Sequence, residues 1–210
     1  MNRVISSLTF GAALLGPVFL GSGLCMAQAS VGQPAPAFTA TDTAGKTVAL
    51  ADFKGKYVVL EWTNPGCPFV QKHYDSGNMP ATQKDATAKG AVWLSINTTA
   101  KDAGDYMAPA ELQGWMKSQR GVPTATLMDS DSKVARAYGA RTTPHMYIVD
   151  PQGKLVYAGA IDSKPTANPA DIKTATNYVT QALGEAMAGK AVSRASTQAY
   201  GCSVKYSSAG

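Results

Sequence analysis

The chain has 210 residues and a formal net charge of +5, from 19 Lys and Arg against 14 Asp and Glu. Hydrophobic residues make up 45% and charged residues 16%, enough apolar material for a packed core, which excludes disorder of the whole chain. The basic excess is spread thinly, with no run of three Lys or Arg, so composition gives no support to a nucleic-acid partner.

The N-terminus reads as an export signal. Met1-Asn2-Arg3 is a short positive start, Val4 to Leu24 is apolar or small apart from Ser and Thr, and Ala27-Gln28-Ala29 is a small-x-small cleavage pattern. Cleavage is expected after Ala29. Gly16-Pro17 and Gly21-Ser22-Gly23 disfavour a membrane anchor, and Leu24 before Cys25 disfavours lipidation there. The expected organisation is a signal peptide over 1–29, a domain over 30–189 and a Cys-containing tail over 190–210. Removing the signal leaves Cys67 and Cys202, and an even pair in an exported protein suggests a disulfide, structural or working. The expected location is the periplasm or the exterior, with no membrane role once the signal is cut.

Residues 30–37 are an extended, Pro-rich lead-in. Phe38 to Asp42 and Thr47 to Leu50 flank a turn at Thr43-Ala-Gly-Lys46 and read as a hairpin. Tyr57-Val-Val-Leu-Glu-Trp-Thr63 is apolar enough for a buried central strand. Pro65-Gly66 ends it, and helices are expected over Pro68–Tyr74 and Met79–Lys89. A strand over Ala91–Asn97 follows, then a helix over Ala108–Gln119 with Leu112, Trp115 and Met116 on one face. A strand over Ala125–Asp129 and a helix over Ser132–Tyr138 lead to a second hairpin, His145–Asp150 and Lys154–Gly159, around Pro151-Gln-Gly153. The last expected helix runs from Asp171 to Met187. Such alternation, closed by a hairpin and a helix, predicts one α/β sandwich with a central mixed sheet flanked by helices and an N-terminal hairpin extension.

Cys67 stands where a reactive thiol is placed. It follows a buried strand, sits beside a Pro-Gly turn, and opens a helix whose first position is Pro68. The dipole and free N–H groups of a helix start favour a thiolate. The bland alternative is a small buried hydrophobe.

Phe38-Thr-Ala-Thr-Asp-Thr-Ala-Gly-Lys-Thr-Val-Ala-Leu, continuing to Trp62, resembles the opening of the redoxin branch of the thioredoxin superfamily, the peroxiredoxin-like alkyl hydroperoxide reductase/thiol-specific antioxidant group. Ser130-Asp-Ser-Lys-Val-Ala-Arg-Ala-Tyr-Gly-Ala-Arg-Thr-Thr-Pro-His-Met-Tyr-Ile-Val-Asp150 resembles its second half. The likeness covers about residues 31–162 and implies a thioredoxin-like fold. It implies that Cys67 matches the attacking cysteine of thioredoxins, with Val70 where their second cysteine stands. By the same alignment Val70 holds the peroxidatic position of peroxiredoxins, Cys67 that of their Thr, and Pro144 or its neighbour that of their Arg. The peroxidatic triad is therefore missing, and peroxidase activity does not follow from the fold.

The resemblance further implies that Pro144 is a cis-proline facing Cys67, that Thr143 before it offers its backbone to an extended substrate, and that Glu61 is a buried acid able to take and return a proton. The alternative for Glu61 is a solvated or Lys-paired side chain. His145, next to Pro144, is placed to aid ionisation of Cys67 or to join it on a metal. His73 reads as an ordinary surface or core imidazole.

Tyr200-Gly-Cys-Ser-Val-Lys-Tyr206 is similar to the tails of this peroxiredoxin-like group. The reach from the last helix to Cys202 is about 45 Å extended, against a radius of gyration near 15 Å, so the tail can bring Cys202 to Cys67. Cys202 then either resolves intermediates on Cys67 or pins the tail as a staple.

The leading expectation is an exported thiol–disulfide oxidoreductase of antioxidant or redoxin type with no cofactor, acting on protein or small-molecule thiols and disulfides with a separate redox partner. One alternative is a copper carrier using Cys67, His145 and Cys202, since soft thiolates suit Cu(I). The other is a non-catalytic module held by a structural disulfide.

Overall fold

The computed structural model describes residues 28–208. Most of the expected signal peptide and the last two residues of the tail lie outside the described residues.

A seven-stranded mixed sheet forms the centre, in the order β2–β1–β5–β4–β3–β7–β8. The strands are β1 (Thr39–Asp42), β2 (Thr47–Ala49), β3 (Val58–Trp62), β4 (Val92–Asn97), β5 (Ala125–Met128), β7 (His145–Val149) and β8 (Leu155–Gly159). β3, β4 and β5 are parallel, while β7 runs antiparallel to β3 and β8 antiparallel to β7. The β1–β2 hairpin adds to the β5 edge. Helices α1 (Pro68–Asp75), α2 (Asn78–Ala88), α3 (Pro109–Ser118), α4 (Lys133–Tyr138) and α5 (Tyr178–Met187) complete the expected sandwich. A short pair, β6 (Thr142–Thr143) with β9 (Cys202–Ser203), stands apart from the main sheet.

Period-2 alternation on the buried strands divides the core into two layers. Val58, Leu60 and Trp62 of β3 pack with Val92, Leu94 and Ile96 of β4, Tyr138 of α4, and Tyr147 and Val149 of β7. Val59 faces the other way with Trp93, Met146 and Ile148, covered by Val70 and Tyr74 of α1, Met79 and Ala86 of α2, and Val179, Ala182 and Leu183 of α5. Burying such side chains contributes roughly 1.5–3 kcal/mol each. Cys67 belongs to this second layer.

One expectation changes. The final helix does not run unbroken from Asp171. A 3₁₀ turn covers Pro169–Thr174, Ala175 is extended at ψ 141°, and the Asn177 side chain accepts from Thr180 N at 3.0 Å to start α5 anew. The N-cap bond and the extended residue before it prevail over the continuous apolar stripe.

The segment from residue 190 onward folds back onto the domain, as its reach allows. Thr197 accepts from Ala160 N at 2.9 Å and meets the Tyr157 hydroxyl at 2.7 Å. Val204 is buried, and Tyr206 Oη donates to Ala140 O at 2.6 Å. Polar composition hid these contacts, which are made by single hydroxyls and backbone groups instead of an apolar stripe.

Candidate active site

β3 carries the chain to the sheet's end, where Asn64 builds the turn. Its Oδ1 accepts from Gly66 N at 2.7 Å, and its carbonyl accepts from Cys67 N at 3.0 Å. Cys67 is the N-cap of α1, extended at φ −88° and ψ 122°, with Pro68 at the first helical position and Gln71 N donating to Cys67 O at 2.9 Å. A β-carbon on Gly66 would lie 3.2 Å from Asp105, whose Oδ2 also accepts from Asn64 Nδ2 at 2.8 Å and from Lys205 Nζ at 2.7 Å. Asp105 thus ties the turn before Cys67 to the C-terminal segment.

Cys67 and Cys202 form a disulfide across 135 positions of sequence, with Cα atoms 5.9 Å apart. The two sulfur-bearing residues are unequally covered: Cys67 is 1% exposed, and Cys202 is half-buried. The Thr143–Pro144 peptide is cis, and Cys67 Sγ lies 3.1 Å from the Thr143 carbonyl oxygen. β9 runs antiparallel to β6 with Cys202 opposite Thr143 and Ser203 opposite Thr142, and Val204 N donates to Arg141 O at 3.0 Å. Cys67, Cys202, Thr143 and Pro144 therefore come together.

Glu61 is fully buried. Its carboxylate accepts from Tyr74 Oη at 2.8 Å, Gln83 Nε2 at 3.1 Å, Trp93 Nε1 at 2.7 Å and Ser95 Oγ at 2.8 Å. Burial raises its pKa above the usual carboxylate value against the pull of those four donors. None of the four is a cysteine. Tyr74, seven residues beyond Cys67 on α1, links the acid to the helix face that carries Cys67, about two turns away. The Lys-paired and solvated alternatives for Glu61 do not apply.

His145 pairs with Trp62 across β7 and β3 and stacks on Tyr147 at 4.5 Å, on the layer away from Cys67. Its Nδ1 accepts from Arg141 N at 3.2 Å and lies 3.3 Å from the Tyr147 hydroxyl. Burial, with Arg141 adding to it, lowers its pKa to about 4. The ring does not turn toward the sulfur as expected, because strand alternation sends 145 and 147 to the same face. Among the described residues no group of three His, Cys, Asp or Glu is arranged to hold a metal ion.

Sequence reasoning missed the charged cluster behind the tail. Lys72, His73 and Asp162 are all buried beside Tyr200, which precedes Cys202 by two positions. His73, read as an unremarkable imidazole, belongs to it. No periodic signal marks the cluster: Tyr200 and Gly201 precede β9, and Gly201 at φ +135° breaks strand alternation between Tyr200 and Cys202.

Fold and site together define a thioredoxin-like redox protein with one cysteine at a helix start and a second delivered by the C-terminal segment. Residues 31–158 match the AhpC/TSA family, to which the chain belongs. A thiol-disulfide oxidoreductase, ResA, of Bacillus subtilis is 28% identical over 146 residues, covering 70% of this chain and 74% of that protein. The crystal structure of a conserved protein from Geobacillus kaustophilus superposes with a TM-score of 0.72 at 27% identity, over 86% of this chain and 94% of its own. The thioredoxin domain of a thiol-disulfide oxidoreductase from Bacteroides vulgatus shares the fold, with a TM-score of 0.51 at 23% identity over 69% of this chain and 96% of that one.

Proposed function

We propose that this protein is an exported thiol–disulfide oxidoreductase in which Cys67 is the nucleophile and Cys202 its resolving partner. The observation that carries the reading is the unequal Cys67–Cys202 disulfide set against the Thr143 carbonyl. In the reduced protein, Cys67 thiolate bonds to one sulfur of a substrate disulfide and the other sulfur leaves as thiolate. Cys202 thiolate then bonds to Cys67 Sγ, and the substrate cysteine leaves in turn. Two electrons pass to the substrate, and an external dithiol returns the pair to its reduced state.

The helix start favours negative charge on Cys67, making it the better leaving group when an incoming thiolate attacks the more accessible Cys202. Thr143 and Pro144 line the docking edge. Glu61 serves as the interior proton store on the Cys67 side of the sheet. The N-terminal signal pattern and the even cysteine pair support export to an oxidising compartment.

The test is thiol counting with intact mass on the mature protein under native conditions. Opening of the disulfide by millimolar dithiothreitol without loss of fold is expected. Resistance until the chain is unfolded would leave a structural staple and overturn the reading.

A further inference from the structure

Tyr200 packs against Phe69, Lys72, His73 and Asp162. Its Oη donates to Asp162 Oδ1 at 2.5 Å and lies 3.2 Å from His73 Nε2. Asn78 Nδ2 lies 2.8 Å from His73 Nδ1, so the network sets the ring with its proton on Nε2, donating to Tyr200. Burial, and Lys72 secondarily, lowers the His73 pKa to about 4, against the pull of Asp162. Phe69 meets the Tyr200 ring edge-on at 5.8 Å, and Lys72 Nζ lies 5.6 Å from its centroid. Lys72 Nζ donates to Lys164 O at 2.9 Å and lies 3.7 Å from Asp162 Oδ2, which accepts no hydrogen bond. Buried Asp, His and Lys are costly unless partnered. Here the phenol that completes them is supplied by the very segment that carries Cys202.

We infer that this cluster, together with the β6 edge, is a substrate subsite that the C-terminal segment occupies in place of a substrate. The ligand class is an extended polypeptide with a tyrosine two residues before its reactive cysteine and glycine between them. The inference rests on the reading of Cys67 as nucleophile and adds to it where the substrate lies and what it must carry.

Three features fix the pattern. Tyr200 packs against Phe69, His73 and Asp162 while Cys202, two residues on, lies opposite Thr143, so a peptide held in the same register places its two side chains at the same two points. The residue between them faces the Thr143 carbonyl so closely that only glycine fits, and Gly201 has φ +135°. A phenol, unlike a phenyl group, supplies both the donor for Asp162 and the acceptor for His73.

The experiment uses reduced mature protein carrying Tyr200→Ala and Cys202→Ser, with Cys202→Ser alone as a second background that keeps Tyr200 in place. The probes are peptides of the sequence Gln198–Val204 whose cysteine is a mixed disulfide with thionitrobenzoate, and versions with Phe or Ala in place of Tyr. Cys67 thiolate bonds to the peptide sulfur, the peptide–thionitrobenzoate bond breaks, and the coloured thiolate leaves with the electron pair. The Tyr peptide is expected to react at least tenfold faster than the Ala peptide in the Tyr200→Ala background, with Phe between them. Asp162→Asn in the same background is expected to narrow the Tyr-over-Phe advantage, since an amide oxygen accepts the phenol proton less strongly than a carboxylate does. In the single variant the ratio should shrink, since Tyr200 competes. Equal rates for all three peptides, with Cys67 still reacting readily with dithiobis(nitrobenzoate), would overturn the subsite alone. A Cys67 inert even to that reagent would overturn the nucleophile reading and the subsite with it.

Discussion

Gly201 packs directly against the carbonyl of Thr143, leaving no room for a β-carbon, at the point where the C-terminal segment passes β6. Its φ of +135° is one that side chains rarely adopt. Gly201→Ala should therefore push the segment off β6. A penalty of about 2 kcal/mol on the closed form corresponds to roughly thirtyfold in the dithiol–disulfide equilibrium. Equilibration with a glutathione redox buffer should show the variant reduced at a more oxidising poise than the parent. An unchanged poise would mean that the contact does not hold the tail.

The disulfide closes a loop of 135 positions. In the chain-entropy account a loop of that size stabilises the oxidised protein by about 5 kcal/mol. Cys202→Ser should lower the guanidinium midpoint relative to oxidised parent protein, and the reduced parent should unfold close to the variant. A reduced parent as stable as the oxidised one would contradict this account.

Glu61 is ringed by donors, and a glutamine there replaces one acceptor oxygen by an NH₂ group that the Trp93 and Gln83 N–H groups oppose and that only the Tyr74 and Ser95 hydroxyls can receive, by giving up their own donation. Glu61→Gln should cost about 1–3 kcal/mol in urea unfolding. The parent carboxyl has a folded pKa raised above 4.5, so the folded state holds its proton more tightly than the unfolded chain. Its contribution is greatest below pH 4.5 and is lost as pH rises through the folded value. The variant should lack that decline, so the gap between the two proteins should narrow from pH 4 to pH 8.

His145 works in the opposite direction. Its folded pKa of about 4 lies below the ordinary 6.5, so the unfolded chain binds more protons between those values. The stability it contributes is complete above pH 6.5 and is lost as pH falls toward 4. His145→Asn retains a side-chain acceptor for Arg141 N and does not titrate. The drop in urea midpoint between pH 7 and pH 5 should be smaller in the variant, and an equal drop would show that the ring does not govern it.

Much of the fold was legible because its strands and helices announce themselves by period. Val58 to Trp62, the Pro151–Gly153 hairpin and the apolar stripe of α5 all fall where their patterns put them. The position of Cys67 at a helix start was equally readable, because Pro-Gly-Cys-Pro after a buried strand leaves few other conformations. What the sequence hid is carried by isolated polar atoms. The Thr197 hydroxyl, the Asn177 cap and the Asp162 carboxylate leave no periodic trace, yet they fasten the tail, divide the last helix and seat Tyr200. The orientation of His145 followed from strand alternation, but its nearness in sequence to Pro144 suggested the wrong face.

The anchoring of Thr197 to Tyr157 and Ala160 bears on how the oxidised state re-forms. Because the segment is fastened there, movement of Cys202 away from Cys67 and back is confined to residues from Gln198 onward, and it releases the Val204–Arg141, Lys205–Asp105 and Tyr206–Ala140 bonds beyond the sulfur. A tether of that length holds the second sulfur at a local concentration on the order of millimolar. Free thiols at micromolar levels lose that contest by about a thousandfold. On the proposed roles of Cys67 and Cys202, ring closure therefore outpaces capture by solutes, and a substrate must already lie along β6 to exchange with Cys67.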